Sequence, residues 1–338
     1  MFVKYSSLTN HYEGKFINGI VMNGLASGEW VAREKIHGAN FSFLTCDGAT
    51  VIPAKRSGEI LPGERFYDCE NVVAKYLESV RNLWQKLFVT GFYDVLNVQI
   101  FGELAGRGVQ KDVDYGEKDF YVFDIKVNGE YLDDRLVSSL ARECGLKMAP
   151  LLGYGSYEHL KELPLTFESV VLFSPSRTEV KGEETVHNIN EAADDVENIA
   201  EGYVLKPVVT AYMTNGSRVA IKCKTSKFSE KKNKSTTAFN APVSLSEADK
   251  LKLGEYVNYL TENRVKNVLS KIDASNLTAK DFGRVAGLTV QDALEEIERN
   301  EGDFVTKFEN PAFAKKLFVS EAQSLIRPVW GLILNNEF

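Results

Sequence analysis

The chain has no run of apolar residues approaching the roughly 18 that a helical membrane crossing needs, so no membrane association is expected. Cysteine is scarce. Cys46, Cys69, Cys144 and Cys223 lie 23, 75 and 79 residues apart, a spacing that fits neither a disulfide framework nor a zinc cluster. Reduced thiols in the cytoplasm are the simpler reading. The four histidines (His11, His37, His159 and His187) form no HExxH pair, which argues against a structural transition-metal site. Met1 to Ser7 has no apolar core region and no small-residue cleavage site, so secretion is not expected. A phosphate-binding loop is missing too. Gly58 to Gly63 has the outer spacing, but Glu64 stands where a lysine is needed, and a carboxylate there would repel phosphates. Gly102, Gly106 and Gly108 do not fit a dinucleotide fingerprint and read as a turn.

What is present describes an ordinary globular protein. The 338 residues are 44% hydrophobic and 26% charged, and the length accommodates two domains. A net charge of −7 argues against nonspecific coating of nucleic acid, although a local basic face can coexist with an acidic remainder.

Two composition shifts organise the chain. Thr225 to Val243 carries Lys227, Lys231, Lys232 and Lys234 among Ser, Thr and Asn, with Pro242 near its end, and reads as a basic linker. Beyond it, Leu253, Tyr256, Val257 and Leu260 repeat at helical spacing. Val265, Val268, Leu269 and Ile272 do the same, as do Val290, Ala293, Leu294 and Ile297. These stripes predict an all-α C-terminal domain, residues 239–338, with Ser246 and Thr289 as N-caps. Residues 1–238 differ. Short β-type runs recur at 30–35, 40–45, 51–54, 95–103, 120–127, 201–206 and 218–224, around one clear helix over 70–87 and a shorter one near Asp133. Cys46-Asp47-Gly48 and Asn128-Gly129-Glu130 are tight-turn signals. The expected class is α+β: antiparallel sheets with flanking helices, followed by the helical domain.

One ordered series could carry chemistry. Lys35-Ile36-His37-Gly38 follows a strand, a place where a lysine amine can serve as nucleophile. Lys55, Lys126 and Lys280 also precede a glycine by three, so the pattern alone is weak. Downstream of Lys35, however, come Lys55-Arg56, Phe101-Gly102-Glu103, Tyr121-Val122-Phe123-Asp124, Glu201-Gly202-Tyr203-Val204-Leu205-Lys206 and Lys222-Cys223-Lys224. A lysine near its ordinary pKa of about 10.4 is neutral in roughly one molecule in a thousand at neutral pH. Neighbouring cations lower that pKa, and Lys222 and Lys224, two apart on a strand, share a face from which they can also neutralise a phosphate. Glu103 and Glu201, at the ends of apolar runs, suit a ribose hydroxyl or a hydrated Mg²⁺. Phe123 suits stacking on a base. Singly each is a surface charge or a core aromatic; the ordered set is what points to a site.

The series resembles the covalent nucleotidyltransferase superfamily of polynucleotide ligases and messenger-RNA capping enzymes. Residues 29–38, 119–124, 218–224 and 287–292 resemble more closely the bacteriophage RNA ligase 2 family, which seals nicks in double-stranded RNA, over nearly the whole chain. The resemblance implies an ATP-dependent RNA ligase of RNA repair. Lys35 would attack the α-phosphorus of ATP to give lysyl-AMP. The AMP would then pass to the 5′-phosphate of the nick, and the 3′-hydroxyl would displace it.

Position by position, the resemblance implies that Glu34 and the Ile36 backbone read adenine, with Phe123 stacked on it and Arg56 and Glu103 on the ribose. His37 would act at the leaving pyrophosphate and Asn40 at the AMP phosphate. Lys222 and Lys224 would bind the α-phosphate, Lys206 would belong to the same nucleotide site, and Glu201 would lie by the metal, Mg²⁺ with Mn²⁺ as a substitute. Tyr5, Arg33, Lys55, Phe66 and Tyr67 match positions tied to the RNA end, and Arg264 and Asp292 match functional positions of the C-terminal domain. The partner would be nicked duplex RNA or an RNA/DNA hybrid, met by a monomer in the cytoplasm, that of an infected host if the source is viral.

Ala39 departs from the family, whose closest members have threonine there. Ser174 to Ile199 is divergent and acidic, and no counterpart of a basic residue used near the phosphates is found in it. A DNA ligase or capping guanylyltransferase would share the lysine but typically continues into a small β-barrel. An NAD-dependent ligase normally has a further domain before the lysine, where 34 residues leave no room. A non-catalytic RNA-binding protein on the same scaffold would not need the nucleophile and all its partners.

Overall fold

The computed structural model describes residues 2–90, 94–172, 178–181, 184–189, 197–229, 245–272 and 274–338. Two compact units, Met1–Lys227 and Phe228–Phe338, divide the chain. The expected boundary after residue 238, much of the basic linker and much of the divergent 174–199 stretch lie outside the described residues.

The first unit is α+β. Its strands are β1 (Thr9–Asn10), β2 (Trp30–Glu34), β3 (Ala39–Thr45), β4 (Ile52–Lys55), β5 (Gly58–Glu59), β6 (Val98–Ala105), β7 (Asp119–Val127), β8 (Glu130–Tyr131), β9 (Leu151–Gly155), β10 (Thr178–Lys181), β11 (Glu184–His187), β12 (Gly202–Pro207) and β13 (Ile221–Lys224). One sheet runs β1-β13-β12-β2-β9-β11-β10 and the other β5-β4-β3-β6-β7-β8. The second is wholly antiparallel, as expected. The first is mixed, because β1 runs parallel to β13 and β11 parallel to β9. Helices α1 (Gly14–Met22), α2 (Glu70–Val89), α3 (Asp134–Glu143) and α4 (Tyr157–Leu160) complete the unit.

Helix α2 buries Val72, Tyr76, Val80, Leu83 and Leu87, so its stripe begins one residue earlier than the expected Val73. That face packs on Phe41, Phe43, Ile100 and Phe120 of the all-antiparallel sheet. Asn128 and Gly129 both take positive φ, the requirement of the two-residue hairpin between β7 and β8. Strand β7 is not regular. Phe101 pairs with Asp124 and Gly102 with Val122, which leaves Phe123 as an inserted residue. Phe120, Val122, Ile125 and Val127 therefore all reach the same core, while Asp124 turns to the other face.

There Asp124 enters a buried ion network that joins the sheets. Arg218 donates two hydrogen bonds of 2.8 Å to its carboxylate, Lys206 donates one of 2.7 Å, and Tyr5 Oη donates one of 2.6 Å. Lys206 also lies 3.1 Å from Asp134 at the start of α3, and Asp134 lies 2.7 Å from Arg33 on β2.

The second unit is all-α, with α5 (Glu247–Val257), α6 (Glu262–Ile272), α7 (Phe282–Glu301), α8 (Pro311–Ile326) and α9 (Trp330–Leu334). Ser246 caps α5 by accepting from Asp249 N at 3.2 Å. Thr289 caps nothing. It lies inside α7, buried, with its hydroxyl donating to Val285 O at 2.9 Å. The helix starts at Phe282, and Gly283 and Gly287, poor helix formers, hide its first two turns from propensity reasoning. Helix α8, absent from the sequence reading, is capped by Asn310, has Pro311 in its first turn, and buries Ala314, Phe318, Ala322 and Ile326 every fourth residue. Among the described residues no helix is long and apolar enough to cross a membrane.

Candidate active site around Lys35

Three strand ends meet at one point. Just past β2, Lys35 N donates to Gly202 O at 2.8 Å, and just past β13, Thr225 N donates to Glu201 O at 3.0 Å. Two motif glycines make this junction possible. A Cβ on Gly38 would lie 2.2 Å from Leu104 O, and one on Gly202, at φ +140°, would lie 1.9 Å from Cys223 O. Any side chain at either position would push the strands apart.

The junction holds a charge cluster. Glu201 Oε2 accepts from Lys35 Nζ at 2.7 Å, and Oε1 faces Lys224 Nζ at 2.8 Å. His37 Nδ1 lies 3.3 Å from Glu201 Oε2, and its Nε2 makes an ion contact with Asp112 Oδ2 at 3.4 Å. Burial would raise the Glu201 carboxyl, but Lys224, Lys35 and His37 outweigh it and hold it well below its ordinary range. For His37, burial works against the charged ring, and the two carboxylates overcome it to raise the pKa. Glu103 sits within the field of Lys35, Glu201, His37 and Arg56, and burial pushes it up to about 7. Asn40 pairs with Glu103 across β3 and β6, so both belong to this neighbourhood.

Not every expected residue joins the cluster. Lys222 shares the face of Lys224 by strand alternation and is half-buried. The Phe123 ring packs on Tyr5 with centroids 4.8 Å apart. Arg56 Nη2 donates to Ser7 Oγ at 3.3 Å. Ile36 is buried. The Glu34 side chain is also buried: its carboxylate accepts from Ser169 Oγ at 2.7 Å and Val170 N at 2.8 Å, and burial pushes its pKa up to about 7 against those bonds. Lys206 lies in the Asp124–Asp134 network, away from Glu201, where its charge is already neutralised.

Several residues expected at the RNA end are turned inward. Phe66 is fully buried in the core beneath α2, with Tyr67 beside it at positive φ. Tyr5 and Arg33 belong to the sheet-joining network. Lys55 pairs with Glu64 and keeps partial exposure. In the second unit Arg264 is buried, bonded to Asp292, Glu296 and Tyr259 O, and Lys271 pairs with the same Asp292. Asp292, like Lys55, keeps partial exposure.

Asp112, Asp134 and Tyr115 escaped sequence reasoning. Asp112 and Tyr115 lie in a loop with no hydrophobic period, and Asp134 looks like an ordinary first-turn acid of α3. Only folding shows what they face.

No cluster of three or more His, Cys, Asp or Glu able to hold a metal exists among the described residues. Glu201, with Glu103 near it, is instead a sparse oxygen donor set. That suits a hydrated Mg²⁺ whose remaining ligands come from water and substrate phosphates.

Two sheets joined by a buried network thus hold a lysine at a strand end among acidic and basic partners. The RNA ligase family model matches residues 28–224, and that for the T4 RNA ligase 2 C-terminal domain matches residues 243–317. The chain belongs to the RNA ligase family. It is 32% identical over 111 residues to mitochondrial RNA-editing ligase 2 of Trypanosoma brucei brucei, covering 30% of this chain and 26% of that protein. It is 37% identical over 70 residues to mitochondrial RNA-editing ligase 1 of the same organism, covering 20% of this chain and 15% of that one. A solved Naegleria gruberi RNA ligase with ATP and Mn superposes with a TM-score of 0.45 at 15% identity, over 68% of this chain and 57% of the other.

Proposed function

We propose that the chain is an ATP-dependent RNA ligase that seals 3′-hydroxyl/5′-phosphate nicks in duplex RNA through AMP carried on Lys35. The observation that supports it is the shared carboxylate of Glu201, which holds Lys35 and Lys224 on its two oxygens. Attack needs the lone pair of Nζ, so arrival of ATP must break the Lys35–Glu201 contact. The Nζ–P bond then forms, the bond from the α-phosphorus to the bridging oxygen breaks, pyrophosphate leaves and the amine proton passes to solvent. In the second step an oxygen of the RNA 5′-phosphate bonds to the AMP phosphorus as the N–P bond breaks, and the departing Nζ takes a proton from solvent. In the third, the 3′-hydroxyl oxygen bonds to that 5′-phosphorus, the phosphoanhydride bond to AMP breaks, AMP leaves and the hydroxyl proton goes to solvent.

Lys224 and Lys222 are suited to neutralise the α-phosphate, and His37 to meet the leaving pyrophosphate. Glu103 and Arg56 suit the ribose, Phe123 the adenine face and Asn40 the AMP phosphate. Mg²⁺ beside Glu201 would supply charge neutralisation on the phosphates. Lys206, paired with Asp124 and Asp134, is suited to holding the sheets together beside that site.

The match over residues 243–317 favours an RNA nick over the DNA-ligase and capping readings, which the helical second unit does not suit. A competition between a nicked RNA duplex and an all-DNA nick tests it. Preferential sealing of RNA is expected, since A-form shape and 2′-hydroxyls distinguish the substrates. Equal sealing of both would overturn RNA selectivity.

A further inference from the structure

We propose that Asp112 is a positioning residue for His37, and that the loop over residues 106–116 grips this histidine at two points to aim its ring at the Lys35 site. The proposal rests on the lysyl-AMP reading above.

The loop is built to hold a position. Its base is closed by Arg107 N donating to Gly116 O at 2.9 Å, with both flanking glycines, Gly106 and Gly116, at positive φ. Asn198 clasps it from both sides, accepting from Asp114 N at 2.8 Å and donating to Asp114 O at 2.8 Å. Lys227 Nζ donates to Asp112 O at 3.1 Å. Within the loop Val113 and Tyr115 turn inward, which anchors the residues between and beside them.

Both anchors reach His37. Tyr115 Oη accepts from the His37 backbone N at 2.8 Å, fixing the main chain. Asp112 Oδ2 stands 3.4 Å from Nε2, while Glu201 Oε2 stands 3.3 Å from Nδ1 at the opposite edge of the ring. An imidazole with a carboxylate at each nitrogen cannot flip without losing both contacts, because the flip puts carbon where nitrogen was. Glu201 must also serve Lys35 and Lys224, so its hold on His37 is shared. Asp112 supplies the second tether, which keeps the ring plane set when substrate rearranges the Glu201 contacts.

The test uses the full chain with Asp112→Ala, Asp112→Asn and His37→Ala. Formation of lysyl-AMP is measured at varied ATP, and sealing of a pre-adenylylated RNA nick is measured separately. Asp112→Ala should slow the first step by about 10–100-fold at saturating ATP, the range for a misplaced catalytic group, with KM for ATP unchanged. Sealing of the pre-adenylylated nick should be unchanged. Asp112→Asn, which keeps an oxygen at the site, should recover part of the rate, and Asp112→Ala should add little to His37→Ala. Equal losses in both steps would mean a merely structural role and overturn the proposal, as would no loss in the first. Imidazole ¹⁵N spectra of the substrate-free protein supply a readout independent of activity. The His37 Nε2 signal should shift or broaden in Asp112→Ala and be largely restored in Asp112→Asn; an unchanged signal also overturns the proposal. If the wild-type chain forms no lysyl-AMP, the functional reading falls, and the spectra alone decide whether Asp112 orients His37.

Discussion

Asp124 and Arg218, 94 residues apart in the chain, meet in two parallel hydrogen bonds of 2.8 Å inside the protein. Burial alone would raise the Asp124 carboxyl; the charges of Arg218 and Lys206 overcome it and bring it to about 2. Its pKa is lowered on folding, so its contribution to stability is present above the ordinary value of 3.8 and lost as pH falls through 2. Asp124→Ala would leave Arg218 buried without its carboxylate and Lys206 with Asp134 alone. A loss of about 3–5 kcal/mol is expected in urea denaturation at neutral pH. A loss below about 1 kcal/mol, the scale of an exposed pair, would show that the network is not desolvated.

Lys35→Ala should abolish acid-stable labelling of the protein by α-labelled ATP. Mass spectrometry of the wild-type chain should show the gain of one AMP on the peptide carrying Lys35. Label that survives the substitution would place the nucleophile elsewhere.

Glu34 gives a pH signature. Burial raises its pKa from 4.5 to about 7, so the folded state holds a proton that the unfolded chain releases. Its stabilising contribution is present below pH 4.5 and is lost as pH rises through 7, on the order of 3 kcal/mol at most. Glu34→Gln, which cannot ionise, should flatten that part of the curve of unfolding free energy against pH. Parallel curves for the two proteins between pH 4.5 and 7 would refute the assignment.

Gly38→Ala forces a methyl group to within 2.2 Å of Leu104 O. The turn after Lys35 must shift, and an error of this size in the nucleophile's position should slow lysine adenylylation by about 100-fold. Circular dichroism should show the fold retained. Labelling at the wild-type rate would mean that the turn yields without moving Lys35.

A chain ended near residue 240 keeps the whole first unit, Met1–Lys227, and loses the helices of the second. It should still adenylylate Lys35 and seal nicked RNA poorly. Sealing as fast as the full chain would remove any role for the helical unit.

Long, locally encoded elements were legible without coordinates. Helix α2 announces itself through its apolar spacing, the β7–β8 hairpin through Asn128-Gly129, and the start of α5 through Ser246. The Lys35, Glu201 and Lys224 convergence was legible as an ordered set, although the expectation of cations crowding Lys35 missed that Glu201 lies between them. What stayed hidden depends on distant partners. Strand β9 has no alternation of its own, and β1 is two residues long and gains meaning only beside β13. Thr289 resembles a cap because nothing nearby reveals that α7 has already begun. Phe66, Tyr67 and Arg264 carry side chains that suit RNA, and only packing shows them enclosed.

The extra residue in β7 frees Phe123 from the alternation of its neighbours. Removing it would restore strict alternation and still leave Phe120, Val122, Ile125 and Val127 on one face and Asp124 on the other, so the seam between the sheets would keep its register. The loss would fall on the ring packed against Tyr5 and not on the ion network, which separates two duties carried by one strand.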